Sequence, residues 1–132
     1  MNQGSCQQRQ CVLLLAHYLQ DKVLEILLAL QNDCAAKYDV WLLYDNSRQD
    51  FQPSLVHKDT RLFLFNMETI SGKYFMKSCD ERGRIRDGNA SFPIMEFYHR
   101  HPDYDHYWRI EYDVRFKGNW ADLFGYFRIS QR

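Results

Sequence analysis

The stretch CVLLLAHYLQDKVLEILLALQNDCAAKYDVWLLYDNS, residues 11–47, decides the fold. Cys11 to Ala16 is an unbroken apolar run of strand length, and unbroken runs are what a strand covered on both faces requires. From Asp21, read as an N-cap, to Cys34, the apolar positions Val23, Leu24, Ile26, Leu27, Leu28 and Leu30 recur at helical spacing, with Lys22, Glu25 and Gln31 as the polar remainder. Val40 to Tyr44 is a second apolar run, closed by the turn formers Asp45, Asn46 and Ser47. Strand, helix and strand with short connections form a βαβ unit, whose two strands run parallel. The predicted class is therefore α/β, a mostly parallel, Rossmann-like sheet with flanking helices.

Working outward, residues 1–10 (MNQGSCQQRQ) are polar and without periodicity and are expected to form a mobile leader, with residues 11–132 as a single α/β domain. RLFLFN, Arg61 to Asn66, reads as a third buried strand, and CDERGRIRDGNAS as a charged loop. Ser91 or Asn89 is expected to cap a helix that carries Pro93 in its first turn and Ile94, Phe97, Tyr98 and His101 on one side, stopping at Pro102. In YWRIEYDVRFKGNW, residues 107–120, alternation predicts a fourth strand over 108–115. Ile110, Tyr112, Val114 and Phe116 would lie on one face, and Arg109, Glu111, Asp113 and Arg115 on the other. Asn119 then caps a last helix, with Trp120, Leu123, Phe124 and Phe127 in one stripe; an apolar patch left by that stripe would favour self-association.

Lys plus Arg and Asp plus Glu are both 17, so the formal charge is zero and no global field gathers nucleic acid or an anionic membrane. Cys6, Cys11, Cys34 and Cys79 show no C-x-x-C pair or zinc-ribbon spacing, which points to reduced thiols and a cytoplasmic protein. CVLLLA is too short for a secretory signal core, and no apolar run approaches the roughly 20 residues of a membrane span.

Open parallel sheets bind ligands outside the carboxyl ends of their strands, which gives the polar residues there the most weight. Here those ends are AHYLQD, YDNS and EYDVRFKG. Neither G-x-G-x-x-G nor a P-loop occurs, so a phosphate-bearing ligand needs charge from elsewhere. Glu111 and Asp113 offer a hard-cation site, since Mg²⁺ or Mn²⁺ binds through one or two carboxylates together with substrate phosphates. The other reading of the same pair is a solvated strand face neutralised by Arg109 and Arg115. Asp45 and Asn46 equally suit an ordinary turn, and His17 a partly buried structural histidine. HRHPDYDHYW gathers His99, His101, Asp103, Asp105 and His106 without a recognised zinc spacing. Arg82, Arg84 and Arg86 read as a charged loop or a diphosphate clamp, and Trp41, Trp108 and Trp120 as core aromatics.

The order VLLLAHYLQDKVLEILLALQ, YDVWLLYDNS, RLFLFN and YWRIEYDVRFKGNW resembles the N-terminal, nucleotide-sugar-binding half of glycosyltransferases with the A-type (GT-A) fold. That resemblance implies a metal-dependent transfer of sugar from a nucleotide-diphosphate donor to an unknown acceptor. Mn²⁺ or Mg²⁺ would be held by Asp113, with Glu111 toward the ribose or a metal-bound water. It also implies that Asp45 contacts the base, that His17 and Tyr18 lie under the nucleoside, and that the chain corresponds to part of a longer catalytic domain. Two other classes stand beside it: a catalytically silent α/β interaction module, and a metal-dependent nuclease using the acids and Lys117 of IEYDVRFK.

Overall fold

The computed structural model describes residues 9–74, 91–114 and 116–130. Expectations for residues 1–8, Cys6, Cys79, the arginines 82, 84 and 86, Asn89 and Arg115 lie outside the described residues. Strand β1 (Gln10–Ala16) is followed by helix α1 (Asp21–Cys34), strand β2 (Tyr38–Asp45), a 3-10 turn (Pro53–Leu55) and strand β3 (Arg61–Phe65). Helices α2 (Met67–Tyr74) and α3 (Ser91–Arg100), strand β4 (His106–Glu111) and helix α4 (Trp120–Ser130) complete the order. The sheet runs β3-β2-β1-β4, and every pairing is parallel. The α/β class and the parallel first pair hold as the apolar runs required.

Alternation along the strands sorts the side chains into two clusters. Val12, Leu14 and Ala16 of β1, with Val40, Leu42 and Tyr44 of β2 and Ile110 of β4, face α1 and α4. Cys11, Leu13, Leu43 and Phe65 face α2 and α3, through Met67, Ile70 and Phe97. Leu13, Leu14, Leu42 and Leu43 are fully buried, each contributing about 1.5–3 kcal/mol of apolar burial. Covered on both faces, these strands need no polar alternation.

Several boundaries differ from the sequence reading. Asp21 is the first helical residue of α1 and Gln20 is its N-cap, so the carboxylate acts on the positive end of the helix rather than as its cap. Gln10 lies inside β1, where its Oε1 accepts a bond from Trp108 Nε1 at 2.9 Å. The amide of Arg9 donates to Asp105 Oδ2 at 2.8 Å, so both residues are tied to the sheet. Strand β4 ends at Glu111, not at residue 115: the Val114 amide donates to the Glu111 carbonyl at 3.0 Å and turns the chain. Val114 and Phe116 are accordingly exposed. Gly118 then adopts φ +153°, where a Cβ would meet the Phe116 ring at 3.0 Å.

Asn119 does cap α4, its Oδ1 accepting from the Asp122 amide at 3.1 Å, while Asp33 of α1 accepts from the Trp120 amide at 3.0 Å. Trp120 and Phe124 are buried against α1 and the sheet, so the apolar stripe of this helix is mostly spent inside the molecule. Tyr126 and Phe127 are its exposed aromatics. No helix among the described residues is long and apolar enough to cross a membrane.

Candidate functional site at the carboxyl edge

The chain runs from β1 out to β2 and β3, then returns past β1 to place β4 on its other side. The strand order therefore reverses between β1 and β4, and the carboxyl ends flanking such a reversal are where open parallel sheets bind ligands. Leu15 pairs with Glu111 and Ala16 with Tyr44. One step further along, His17 is level with Asp45 on one side and with the Tyr112–Asp113 turn on the other. Three strand ends thus deliver His17, Tyr18, Asp45, Glu111 and Asp113 to one edge, as their positions in the sequence implied.

The centre of this edge is aromatic. His17 meets Tyr18 edge-on at 4.7 Å and Tyr112 at 5.1 Å, and Tyr18 meets Tyr112 at 5.1 Å, all near perpendicular. Burial holds the His17 imidazole below its ordinary pKa, and the Arg48 charge lowers it further against the opposing pull of Asp45. His17 is therefore neutral at pH 7, a hydrogen-bonding group rather than a charge. The Tyr112 phenol is pushed up by burial, then by Tyr18 and Asp113. Arg48 lies within electrostatic reach of both His17 and Tyr112.

The acidic residues behave differently from one another. Asp45 is 7% exposed, and its Oδ1 accepts from the amide of Ser47 at 2.9 Å and from the Ser47 hydroxyl. It thus builds the turn that closes β2, within electrostatic reach of His17. Asn46 extends that turn, its Oδ1 accepting from the Phe51 amide at 2.7 Å. Glu111, the last residue of β4, accepts a bond from Arg109 Nη2 at 3.2 Å. Asp113 is exposed in the turn that follows. The shared strand face drawn for Glu111 and Asp113 does not form, because only Glu111 belongs to the strand. They remain neighbours across one residue of turn.

Two hard carboxylates at a strand end suit a cation whose remaining oxygens come from a ligand. Among the described residues, no group of three His, Cys, Asp or Glu side chains comes together as a metal-holding set. Neither the His99–His106 run nor the carboxyl edge is thus a closed protein cage.

The opposite edge of the sheet is self-satisfied. Asp39 is met by Arg61 at 3.4 Å, Arg9 at 3.6 Å and the Tyr104 hydroxyl at 2.5 Å, and Arg9 also pairs with Asp103 at 2.6 Å. Acids and bases there close a network, whereas the carboxyl edge presents rings, acids and Arg48 to solvent.

Sequence reasoning missed Arg48 and Tyr112 as members of the site. Arg48 was legible only as a polar residue after a turn, and Tyr112 was assigned to an apolar strand face.

A family model described as "Protein of unknown function (DUF3405)" matches residues 60–129, which takes in β3 through α4 with Glu111 and Asp113. No curated protein and no solved structure matches the chain.

Proposed function

The chain belongs to the DUF3405 family of proteins of unknown function, and on the chemistry of its carboxyl edge we propose that it is the nucleotide-sugar-binding domain of a metal-dependent glycosyltransferase of the GT-A kind. The observation that carries this reading is the reversal of strand order between β1 and β4, with His17, Tyr18 and Tyr112 clustered at that point and Asp45, Glu111 and Asp113 beside them. The nucleoside lies against the ring cluster, where neutral His17 and the two phenols offer hydrogen bonds and π-faces. Asp45, held rigid by Ser47, accepts from the base. Arg48 supplies positive charge toward the diphosphate.

Asp113 and Glu111 fit Mg²⁺ or Mn²⁺, being hard oxygen donors beside an open edge. When bound, such an ion neutralises the diphosphate and stabilises it as a leaving group. Glu111 must first release Arg109, and in doing so it frees a guanidinium on the same edge. In the absence of ligand, the Arg109 contact limits repulsion between the two acids.

A second reading, a catalytically silent α/β interaction module, is favoured by that same Glu111–Arg109 pair, which needs no ligand to be satisfied. Thermal melting with uridine and guanosine diphosphate sugars, each with and without Mn²⁺, separates the two. The transferase reading expects a rise in Tm of several degrees only when nucleotide and Mn²⁺ are present together. No shift with any donor favours the silent module. Cleavage of labelled DNA with Mg²⁺ would instead point to a nuclease.

A further inference from the structure

Beside the turn that closes β2, at the carboxyl end of β3 and against α2 and α3, is a cavity of about 280 Å³. Phe63, Phe65 and Ile70 give it apolar walls, while Asn46, Asn66, Thr69, Glu96 and Arg100 supply its polar side chains. None of these residues belongs to the ring cluster at the β1–β4 edge, although Asn46 directly follows Asp45.

The polar groups have defined roles. Asn46 Oδ1 accepts from the Phe51 amide at 2.7 Å, and Asn66 Oδ1 accepts from the Glu68 amide at 2.8 Å. With their oxygens fixed on backbone, the two side chains present NH₂ groups, which are donors only. Glu96 is 5% exposed, a burial that carboxylates reach only when paired. Arg100, one helical turn on, is one of its partners, at 3.5 Å. Glu96 and Arg100 carry opposite charges, so this pair by itself selects neither an anion nor a cation. Donors and acceptors on an apolar wall suit a neutral ligand bearing several hydroxyls. The volume lies just under the roughly 300–1,000 Å³ of sites for drug-sized ligands, so it admits one ring and not a nucleoside diphosphate sugar.

We propose that this cavity between β3 and α3 binds a single neutral sugar ring, with Glu96 and Arg100 reading its hydroxyls and the Asn46 and Asn66 amides donating to its oxygens. The proposal does not rest on the nucleotide reading of the β1–β4 edge, because it uses separate side chains. Saturation-transfer NMR tests it on the full chain with D-glucose, D-galactose, D-mannose and N-acetyl-D-glucosamine, in the absence of nucleotide and divalent cation. At least one sugar is expected to receive saturation and to shift the side-chain amide signals of Asn46 and Asn66. Glu96→Gln, which keeps shape and removes charge, is expected to weaken that sugar about tenfold or more. Asn66→Ser keeps an oxygen to cap α2 and removes the NH₂ group, so it is expected to weaken the sugar while melting close to the parent; it decides the matter if Glu96→Gln fails to fold. Saturation of no sugar, equal binding by the folded variants, or displacement of the sugar by inorganic phosphate would overturn the proposal.

Discussion

Replacing Tyr112 tests whether the ring cluster at the carboxyl edge is a built feature or an accident of exposed side chains. Its ring makes two near-perpendicular contacts, with His17 and with Tyr18, each at 5.1 Å. Aromatic pairs of this geometry are worth about 0.5–1.5 kcal/mol each beyond their buried area, so Tyr112→Leu, which keeps an apolar side chain, is expected to cost roughly 1–3 kcal/mol. For a chain of this size that corresponds to a fall in Tm of roughly 4–11 °C. The His17–Tyr18 contact at 4.7 Å survives the change, so the loss is partial and the fold persists. Tyr112→Phe keeps both ring contacts and is expected to retain most of the stability. A second readout is independent of melting. Burial is the main cause of the lowered His17 pKa, so Tyr112→Ala, which opens the imidazole to water, is expected to move it back toward its ordinary value in an NMR titration. A Tyr112→Leu protein melting within about 1 °C of the parent, together with an unmoved His17 in Tyr112→Ala, would refute the reasoning.

The His17 imidazole also sets a pH dependence. Because its folded pKa lies below the ordinary 6.5, the unfolded chain takes up the proton first as pH falls. Stability from this group is full above about pH 6.5 and declines as pH drops through the folded value. Urea denaturation at pH 7.5 and pH 5 is expected to show a steeper loss for the parent than for His17→Gln. Arg48→Gln, by removing a charge that opposes protonation, is expected to raise the His17 pKa, read by the same NMR titration. Asn119→Ala removes the acceptor for the Asp122 amide and is expected to cost about 1 kcal/mol in urea denaturation, whereas Asn119→Ser retains most of that bond.

The two inner strands, β1 and β2, were legible because a run such as Leu13–Leu14–Leu15 has no polar side to show, which only a sheet covered on both faces accommodates. Helix α1 was legible for the complementary reason, its buried Val23, Ile26, Leu27 and Leu30 falling on one stripe. Helix α2 was not foreseen. Among the described side chains METISGKY offers Met67 and Ile70 as buried anchors, and it carries a glycine inside, so its propensity is low. It forms because Asn66 caps the Glu68 amide and those two side chains fill the face opposite Leu13 and Phe97. The end of β4 was misplaced because alternation continues through Tyr112 and Val114, whereas a strand lasts only as long as its partner. Pairing with β1 stops at Leu15–Glu111, and the chain turns there.

The edge at which the candidate residues gather was legible from strand ends alone, given a parallel sheet. What composes it was less so. The nearness of Arg48 to His17 depends on the loop after β2, whose path is set by the Asn46 bond to Phe51 and the Tyr44 hydroxyl bond to the Gln49 carbonyl. Such bonds leave no periodic trace. The cavity formed by Asn46, Asn66, Glu96 and Arg100 brings together three separate segments, and Glu96 reads in sequence as the polar side of an amphipathic helix.

The central claim is that the carboxyl edge binds a nucleoside diphosphate together with a divalent cation, and titration calorimetry tests it most directly. Uridine and guanosine diphosphate sugars are titrated into the parent and into Asp113→Asn, each with and without Mn²⁺. One or two carboxylates alone hold such a cation poorly, because it needs about six oxygens, and the bound diphosphate completes the shell. The account predicts cooperative binding of metal and one nucleotide sugar by the parent. Asp113→Asn is expected to lose it while its Tm stays nearly unchanged, since Asp113 is exposed in a turn. No heat in any combination, or equal heat for Asp113→Asn, would contradict the account and leave these carboxylates as a solvated strand end.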